Sequence, residues 1–211
     1  MKSFVIFTIV VLLLTFVAVV PRIAFAVAEP AHTVKVKDGN IEIREYAPMI
    51  VAEVTVEGDM RTAGRRGFRP LADFIFGNNR PAQKIDMTAP VTRAASTKIK
   101  MTAPVTRVEN DEETWTVAFV MPSEWTLETL PQPNNEDVTI REVAAELVAT
   151  IQFSGRASEQ DHQEHFTELA EWLHDNGYTM ISKPRFGGYD HPAVLGPFRR
   201  NEVMVTVVKA S

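Results

Sequence analysis

Short runs in which apolar and polar residues alternate cover much of the chain after residue 31, and they predict a domain rich in β-strands. Two longer stretches instead have apolar residues at the i, i+3, i+4 and i+7 positions of an amphipathic helix. Asp59 is the predicted N-cap of the first helix, and Pro70 within it should kink or split it. The second helix is predicted over residues 158–176, with Ser158 and Asp161 forming a capping box.

The predicted strands lie before and after each predicted helix. They cover residues 34–37, 41–46, 50–56, 114–121, 138–143, 147–153, 178–183 and 202–208. The order of strands, helix and strands therefore occurs twice along the chain. This order predicts one α+β domain with internal pseudo-symmetry, in which both helices pack on a largely antiparallel sheet.

A ten-residue phrase occurs twice, at residues 84–93 and 98–107, and nine of its ten positions are identical. Every second residue is apolar, which predicts a strand with one buried face. These residues are Ile85, Met87, Ala89 and Val91 in the first copy, and Ile99, Met101, Ala103 and Val105 in the second. Because Pro90 and Pro104 cannot donate to a β-ladder, each should lie at an edge, a bulge or a strand end. We expect a local duplication, with a hairpin that turns through residues 94–97.

The N-terminus has the features of an export signal. Lys2 precedes an apolar run over residues 4–20, and small residues follow at the Ala24-Phe25-Ala26 and Ala26-Val27-Ala28 sites. Residues 1–28 are therefore predicted to be a signal peptide. The run is also just long enough to span a bilayer, so an N-terminal membrane anchor is the alternative. In either case residues 29–211 should form a single exported domain, periplasmic or anchored to the membrane, and we expect a monomer.

Composition excludes several kinds of chemistry. The chain has 211 residues and no cysteine, which rules out disulfides, thiolate metal sites and cysteine nucleophiles. Its formal net charge of −5 argues against non-specific binding of nucleic acid. No nucleophile elbow, zinc motif or phosphate-binding loop is present in the sequence, so we do not expect an enzyme.

Four pieces of sequence together resemble the SOUL haem-binding protein family. They are the Ile-x-Met-Thr-Ala-Pro-Val phrase, the end of the first helix over residues 68–77, the Gly187-Gly188-Tyr189-Asp190 loop, and Arg199-Arg200-Asn201-Glu202-Val203. The resemblance covers residues 32–208, and the doubled phrase is similar to bacterial members. It implies a distorted antiparallel β-barrel with two helices, built as a pseudo-twofold repeat of βαββ-like halves, an architecture shared with effector-binding domains. It also implies non-covalent binding of haem or a related tetrapyrrole, without catalysis.

The resemblance places the tetrapyrrole in an apolar groove beside the first helix. On an ideal helix Phe68, Leu71, Ala72 and Ile75 form one apolar wall for the ring. Arg61, Arg65 and Arg69 follow the edge of that wall and could pair with the propionates. Arg65 matches the position at which a family member uses an arginine. A solvated basic face on a surface helix is the alternative reading of these arginines.

The resemblance also places the loop before the last strand at the groove. In that loop Tyr189 could stack on the ring, and Val194 and Leu195 stand where some members have a basic residue. His191 is the first candidate for an iron ligand, and a hydrogen bond that holds the loop is the alternative. Residues 41–60 contain no histidine, although some members use one before the first helix.

Other candidate ligands have simpler explanations. Met87 and Met101 could offer thioethers to iron, but methionine at alternating strand positions usually fills a core. His162 and His165 are three residues apart and lack an evident third metal ligand. Arg199 and Arg200 are expected to pair with acidic neighbours such as Glu202.

Two other functions stay open at this point. An effector-binding-like module would meet a cationic or hydrophobic ligand with a buried carboxylate, for which Glu124 and Glu142 are the candidates. A protein that acts at the membrane surface through its N-terminal segment is the other possibility.

Overall fold

The computed structural model describes residues 28–81, 96–110, 114–191 and 193–210. The predicted signal or anchor, except Ala28, and the whole first copy of the repeated phrase with Met87 lie outside these residues. The strands are β1 (His32–Asp38), β2 (Ile41–Tyr46), β3 (Met49–Glu57), β4 (Asn79–Arg80), β5 (Val105–Glu109), β6 (Thr114–Val120), β7 (Gln132–Pro133), β8 (Thr139–Val143), β9 (Glu146–Ser154), β10 (Tyr178–Met180), β11 (Arg185–Gly188) and β12 (Arg200–Lys209). The helices are α1 (Met60–Ile75) and α2 (Glu159–Asp175).

Most strands belong to one antiparallel sheet with the order β1-β2-β9-β12-β11-β5-β6-β3-β8, and β10 pairs with the end of β12. β4 and β7 form a separate two-stranded ribbon. The α+β class, the two helices and the antiparallel sheet are therefore confirmed. No pairing among the described strands joins β8 back to β1, so the expected distortion is present and the sheet is open rather than closed into a barrel.

The strand order contains the predicted pseudo-twofold repeat. In chain order, β2, β3, β5 and β6 of the first half correspond to β8, β9, β11 and β12 of the second half, and corresponding strands lie at equal distances from the middle of the sheet order that runs from β2 to β8. Each helix follows an equivalent strand, because α1 comes directly after β3 and α2 directly after β9. The pseudo-twofold axis therefore passes between β11 and β5, at the middle of the sheet.

Both helices begin where their caps predict. The Asp59 side chain accepts hydrogen bonds from the backbone N–H groups of Arg61 and Thr62, each at 2.9 Å. At the start of α2, Ser158 and Asp161 form the reciprocal bonds of a capping box. The first helix continues through Pro70 to Ile75, so the alternative in which Pro70 splits it is wrong.

Each helix buries an apolar stripe against its half of the sheet. Leu71, Phe74 and Ile75 of α1 are at most 1% exposed and pack with residues of β3 and β6. The helix comes so close to β6 that a Cβ atom on Gly67 would lie 2.4 Å from Cγ2 of Val117. Leu169 of α2 packs in a second cluster with residues of β9 and β12. Full burial of each large apolar side chain contributes about 1.5–3 kcal/mol.

Two local predictions differ from the structure. Gly187 and Gly188 were expected in a loop, but they belong to β11 because β12 and β5 pair with them on both sides. In the second copy of the phrase only the end is a strand, since residues 98–104 are irregular and β5 begins at Val105. Ile99 and Ala103 are nevertheless buried, at 4% and 6% exposure. No helix within the described residues is long and apolar enough to span a bilayer.

Candidate functional site: a groove at the pseudo-twofold axis

A groove of about 810 Å³ opens where the first turns of both helices approach the middle of the sheet. Its size lies within the range of about 300–1,000 Å³ that is typical of small-molecule sites. The lining residues come from the first half of α1, the segment before α2, strands β5 and β11, and the start of β12. The groove therefore lies beside the pseudo-twofold axis and receives residues from both halves of the domain.

The floor of the groove is formed by β5 and β11. In their antiparallel register Phe186 lies opposite Arg107, and Gly188 lies opposite Val105. Because side chains alternate along a strand, these four positions share the face of the sheet that the helices cover. A Cβ atom on Gly188 would meet no atom within 4 Å, so this glycine leaves the floor open.

Gly187 faces the other side of the sheet and has a different role. A Cβ atom at this position would lie 2.6 Å from Cε of Met204 and 3.2 Å from Cβ of Pro104. The two adjacent glycines therefore serve close packing on one face and an open groove on the other.

Arginine dominates the charge of the groove. Among the described residues, six arginines and three carboxylates line it, although the whole chain has a formal net charge of −5. The arginines are Arg61, Arg65, Arg107, Arg156, Arg199 and Arg200, and the carboxylates belong to Asp59, Glu159 and Asp190. The N-termini of α1 and α2 also border the groove, and the partial positive charge of each helix dipole is located there. The arrangement favours a ligand that carries negative charge.

A buried network holds one rim of the groove. Glu202 is completely buried and pairs with Arg200, whose Nη2 is 2.7 Å from Oε1, and with Arg44 on β2. The hydroxyl of Tyr189 also donates to Glu202, and the Arg200 guanidinium lies 3.9 Å above the Tyr189 ring. Burial and the charge of Glu202 raise the pKa of Tyr189, so this phenol stays protonated. The network fixes Tyr189 and Arg200 in place.

With the groove described, comparison with known proteins decides the family. A family model described as SOUL heme-binding protein matches residues 27–206. The chain belongs to the SOUL heme-binding protein family. Heme-binding protein 2 of Homo sapiens is 34% identical over 167 residues, which cover 78% of this chain and 77% of the human protein. Heme-binding protein 2 of Mus musculus matches with the same identity and coverage.

Similarity to solved structures extends to the fold. The C-terminal domain of EcmrR matches with a TM-score of 0.59 and 14% identity, covering 81% of this chain and 98% of that domain. EcmrR in a complex with DNA matches with a TM-score of 0.54 and 15% identity, covering 81% of this chain and 57% of that one. This similarity agrees with the expected effector-binding-domain-like architecture, and at such identity it shows the fold alone.

The structure divides the wall that the SOUL resemblance placed on the first helix. Arg65 and Phe68 line the groove, and Phe68 is 38% exposed above the buried ring of Phe119. Leu71, Ala72 and Ile75 are 0%, 8% and 1% exposed and are not among the lining residues. Their assignment to the ring wall is wrong for this groove. In the second half of α1 the apolar face of the helix packs against the core rather than bordering the groove.

The predicted row of arginines is also divided. Arg61 lines the groove together with Arg65, whereas Arg69 is exposed and lies outside the lining. Four residues advance a helix by slightly more than one turn, so Arg69 follows Arg65 along the axis beyond the groove.

The loop before β12 supplies Tyr189 to the groove but not the other predicted residues. His191, Val194 and Leu195 are not among the lining residues. Nδ1 of His191 accepts a hydrogen bond from the backbone N–H of Ala193 at 3.1 Å, which is the loop-holding alternative. Leu195 is 69% exposed, and it borders a second groove of about 520 Å³.

Among the described residues, no histidine lines the groove. Groups of three or more residues able to hold a metal ion are absent from that part of the chain. Met101 is partly buried against the core around α1, in agreement with the core-filling reading. His165 stacks on Phe153 and contacts Glu168, with Nδ1 at 3.1 Å from Oε2.

His162 is buried between the rings of Phe153 and Phe186. Its Nδ1–H donates to the backbone carbonyl of Ser158 at 2.7 Å, and its Nε2 has no partner in the described structure. Burial lowers the pKa of His162 to about 4, and the positive charge of Arg107 contributes in the same direction. The imidazole is therefore neutral at pH 7.

The carboxylates proposed for a cationic ligand are wrongly placed for that role. Glu124 and Glu142 are exposed rather than buried. Glu202 is buried, but Arg44 and Arg200 already neutralise it.

Sequence reasoning missed several lining residues, chiefly Arg107, Arg156 and Ala157. A signal for Arg107 was present, because it continues the alternation that leads through Ala103 and Val105. A charged residue on the apolar side of an alternating segment marks an inward-facing position. Arg156 and Ala157 had no such signal, since they belong to an irregular segment before α2.

Proposed function

We propose that this protein binds haem or a related tetrapyrrole non-covalently in the central groove, and that it buffers or transfers this ligand in the cell envelope. The observation that carries the proposal is an open groove that combines an apolar wall with Arg61, Arg65, Arg107 and Arg156, none of which forms an ion pair within the described residues. Met60, Phe68, Val105 and Ala157 supply the apolar surface. The names of the human and mouse relatives, heme-binding protein 2, agree with this ligand.

The residues of the groove fit the two parts of such a ligand. The macrocycle is flat and apolar and gains free energy by leaving water, at about 25 cal/mol per Å² of buried apolar surface. The propionates need cations, for which Arg65 and its neighbours are available. Because no described histidine lines the groove, affinity should rest on burial of the ring and on the carboxylates rather than on iron.

The location in the envelope rests on the N-terminal sequence. An apolar run after Lys2 and small residues before residue 29 support export of the domain. Detergent-free fractionation of cells tests the two forms of this idea. A processed, soluble protein supports cleavage, whereas a full-length protein in the membrane fraction supports an anchor.

Absorbance titration of the purified protein with haem and with iron-free protoporphyrin tests the ligand. We expect both to bind with comparable affinity. If the iron form alone binds, an iron ligand carries the affinity and the account based on ring burial is wrong. If a lipophilic cation binds and neither porphyrin does, the effector-binding alternative replaces the proposal.

Substitution of Gly188 tests whether the groove is the site. Since a Cβ atom there meets only open space, Gly188→Trp should fold while its indole fills the floor. We expect it to weaken binding of both porphyrins at least about tenfold, a change of roughly 1.4 kcal/mol. Gly188→Ala is the matched control and should bind like the wild type. A folded Gly188→Trp protein that binds normally would place the ligand elsewhere.

A further inference from the structure

Arg107 occupies an unusual position at the floor of the groove. It extends from β5 on the helix-covered face of the sheet, opposite Phe186 of β11. Its side chain lies against α1 at Gly64, because a Cβ atom on that glycine would be 3.1 Å from Nη1 and 3.3 Å from Cδ of Arg107. The absence of a side chain at Gly64 therefore makes room for the arginine between helix and sheet.

The guanidinium of Arg107 has no counter-charge in the described part of the chain. It makes no hydrogen bond or ion pair there, whereas Arg44, Arg185 and Arg200 each pair with a carboxylate at 2.7–2.9 Å. Burial lowers the pKa of Arg107, and no acidic neighbour offsets this effect. Arg107 is half-buried at the floor of the groove. A cation that is partly withdrawn from water without a partner is costly to the folded protein, and a ligand carboxylate would reduce that cost.

Two of the three acidic side chains of the groove are engaged in hydrogen bonds, and the third, Glu159, is exposed at the start of α2. Asp59 caps α1, and Asp190 accepts a hydrogen bond from the backbone N–H of Arg200. Two more cations, Arg65 and Arg156, line the groove and also lack ion pairs within the described residues. An entering carboxylate therefore meets free arginines with few competitors.

We propose that Arg107 is the inner anchor of the ligand: it binds a free carboxylate, so that a tetrapyrrole enters with its acidic edge towards the sheet. This inference rests on the proposed function and adds an orientation and a selectivity to it. Arg65, on the turn of α1 next to Gly64, contacts the same acidic edge. The groove then prefers tetrapyrroles with free propionates over their esters, and the more apolar edge of the ring lies towards the solvent-exposed Phe68.

Binding of protoporphyrin IX and of its dimethyl ester to wild type and to Arg107→Met tests the inference. The two ligands share the ring, and methionine keeps apolar bulk while it removes the charge. Arg107→Met should weaken binding of the free acid about ten- to a hundredfold, as expected for a charge-assisted hydrogen bond, and leave binding of the ester unchanged. Arg69→Met is the matched control on α1, since Arg69 lies outside the groove, and it should change neither affinity.

The outcomes separate the two proposals. If wild type binds neither ligand, the proposed function fails. If wild type and Arg107→Met bind the free acid equally, or if Arg107→Met loses the acid and the ester equally, the function stands and the anchor role is overturned. If Arg107→Met does not fold, Arg107→Lys replaces it, because lysine retains a cation without the guanidinium fork. The proposal requires Arg107→Lys to bind the free acid more tightly than the ester. Loss of that preference contradicts the proposal.

Discussion

Arg44 donates two hydrogen bonds to Glu202, with Nη1 2.9 Å from Oε2 and Nη2 3.0 Å from Oε1. The two residues lie on β2 and β12, which flank β9, and they are 3% and 0% exposed. Burial alone would lower the pKa of Arg44, but the hydrogen bonds and charge of Glu202 outweigh it and raise the pKa. Tyr189 and Arg200, which line the groove, both contact Glu202, so the pair supports one rim of the groove.

Removing one charge of this pair should destabilise the fold strongly. Glu202→Gln leaves the buried Arg44 guanidinium with Glu42 as its only carboxylate partner among the described residues, at 2.8 Å from Nε. We therefore expect the free energy of unfolding to fall by about 3 kcal/mol, the lower end of the range for breaking a buried pair. The double variant Arg44→Met/Glu202→Gln should lose clearly less than the sum of the single variants, because neither charge is then left alone. Denaturant unfolding measures all three. Additive losses in the double variant would contradict the coupling. Glu45→Gln is the control, because Glu45 forms an exposed pair with Lys35, and it should lower the free energy of unfolding by less than about 1 kcal/mol.

His162 should make the protein sensitive to mild acid. Its pKa is about 4 in the folded protein and about 6.5 in the unfolded chain, so the unfolded chain binds more protons between these values. Stability is therefore retained above pH 6.5 and falls as the pH approaches 4, by about 3 kcal/mol in total. The charged groups that act on this imidazole are Arg107 on β5, and Asp161 and His165 on α2.

Denaturant unfolding at several pH values measures this effect. His162→Gln removes the titrating group and keeps an N–H donor for the Ser158 carbonyl, so its stability should depend less on pH over this interval. His174→Gln is the control, because the His174 side chain is 89% exposed, and it should follow the wild type. An identical pH dependence in wild type and His162→Gln would show that another group is responsible.

Gly67 should resist a substitution that usually stabilises helices. Glycine to alanine in an exposed helix interior gains about 1 kcal/mol. Here the new Cβ atom would lie 2.4 Å from Cγ2 and 2.6 Å from Cβ of Val117, so helix and sheet must separate. We expect Gly67→Ala to lower the free energy of unfolding by about 1–3 kcal/mol. The double variant Gly67→Ala/Val117→Ala should lose less stability than the sum of the two single variants, because the smaller side chain at 117 removes the clash. A melting temperature of Gly67→Ala above that of the wild type would refute the close approach.

Asp59 should affect stability and binding in opposite directions. It caps α1 and also brings a negative charge to the groove. Asp59→Asn keeps a capping side chain and removes the charge, so we expect an unchanged melting temperature and affinity for protoporphyrin IX raised by a factor of about two to five. Asp59→Ala should gain the same affinity but melt at a lower temperature. Equal affinities for the porphyrin dimethyl ester in all three proteins complete the test.

The sequence predicted both helices and most strands because their signals are local. Asp59, Ser158 and Asp161 are caps whose hydrogen bonds are made within a few residues, and amphipathic stripes report burial directly. β11 escaped this reasoning, since a segment containing Gly187 and Gly188 has little intrinsic preference for a strand. Its conformation comes from pairing with β5 and β12, which are distant in sequence.

The sequence predicted some residues of the candidate site correctly and misplaced others. Arg65, Phe68 and Tyr189 follow from the family motifs and line the groove, whereas Leu71 and Ile75 were assigned to it and are core residues. The face of α1 that meets the sheet cannot be separated from the face that meets the groove by spacing alone, because both follow one continuous helix.

By itself, the sequence determined the two-half order of elements, the caps and the membership of the SOUL family, since each depends on residues adjacent in the chain or on motifs in a fixed order. The tertiary structure decided that the sheet is open. It placed α1 on β3 and β6 and α2 on β9 and β12, on the two sides of the central strands β5 and β11. It also decided that Arg107 lies against Gly64 with no acidic partner in the described residues. Such a contact depends on where two helices and two strands converge, and no local pattern specifies that point.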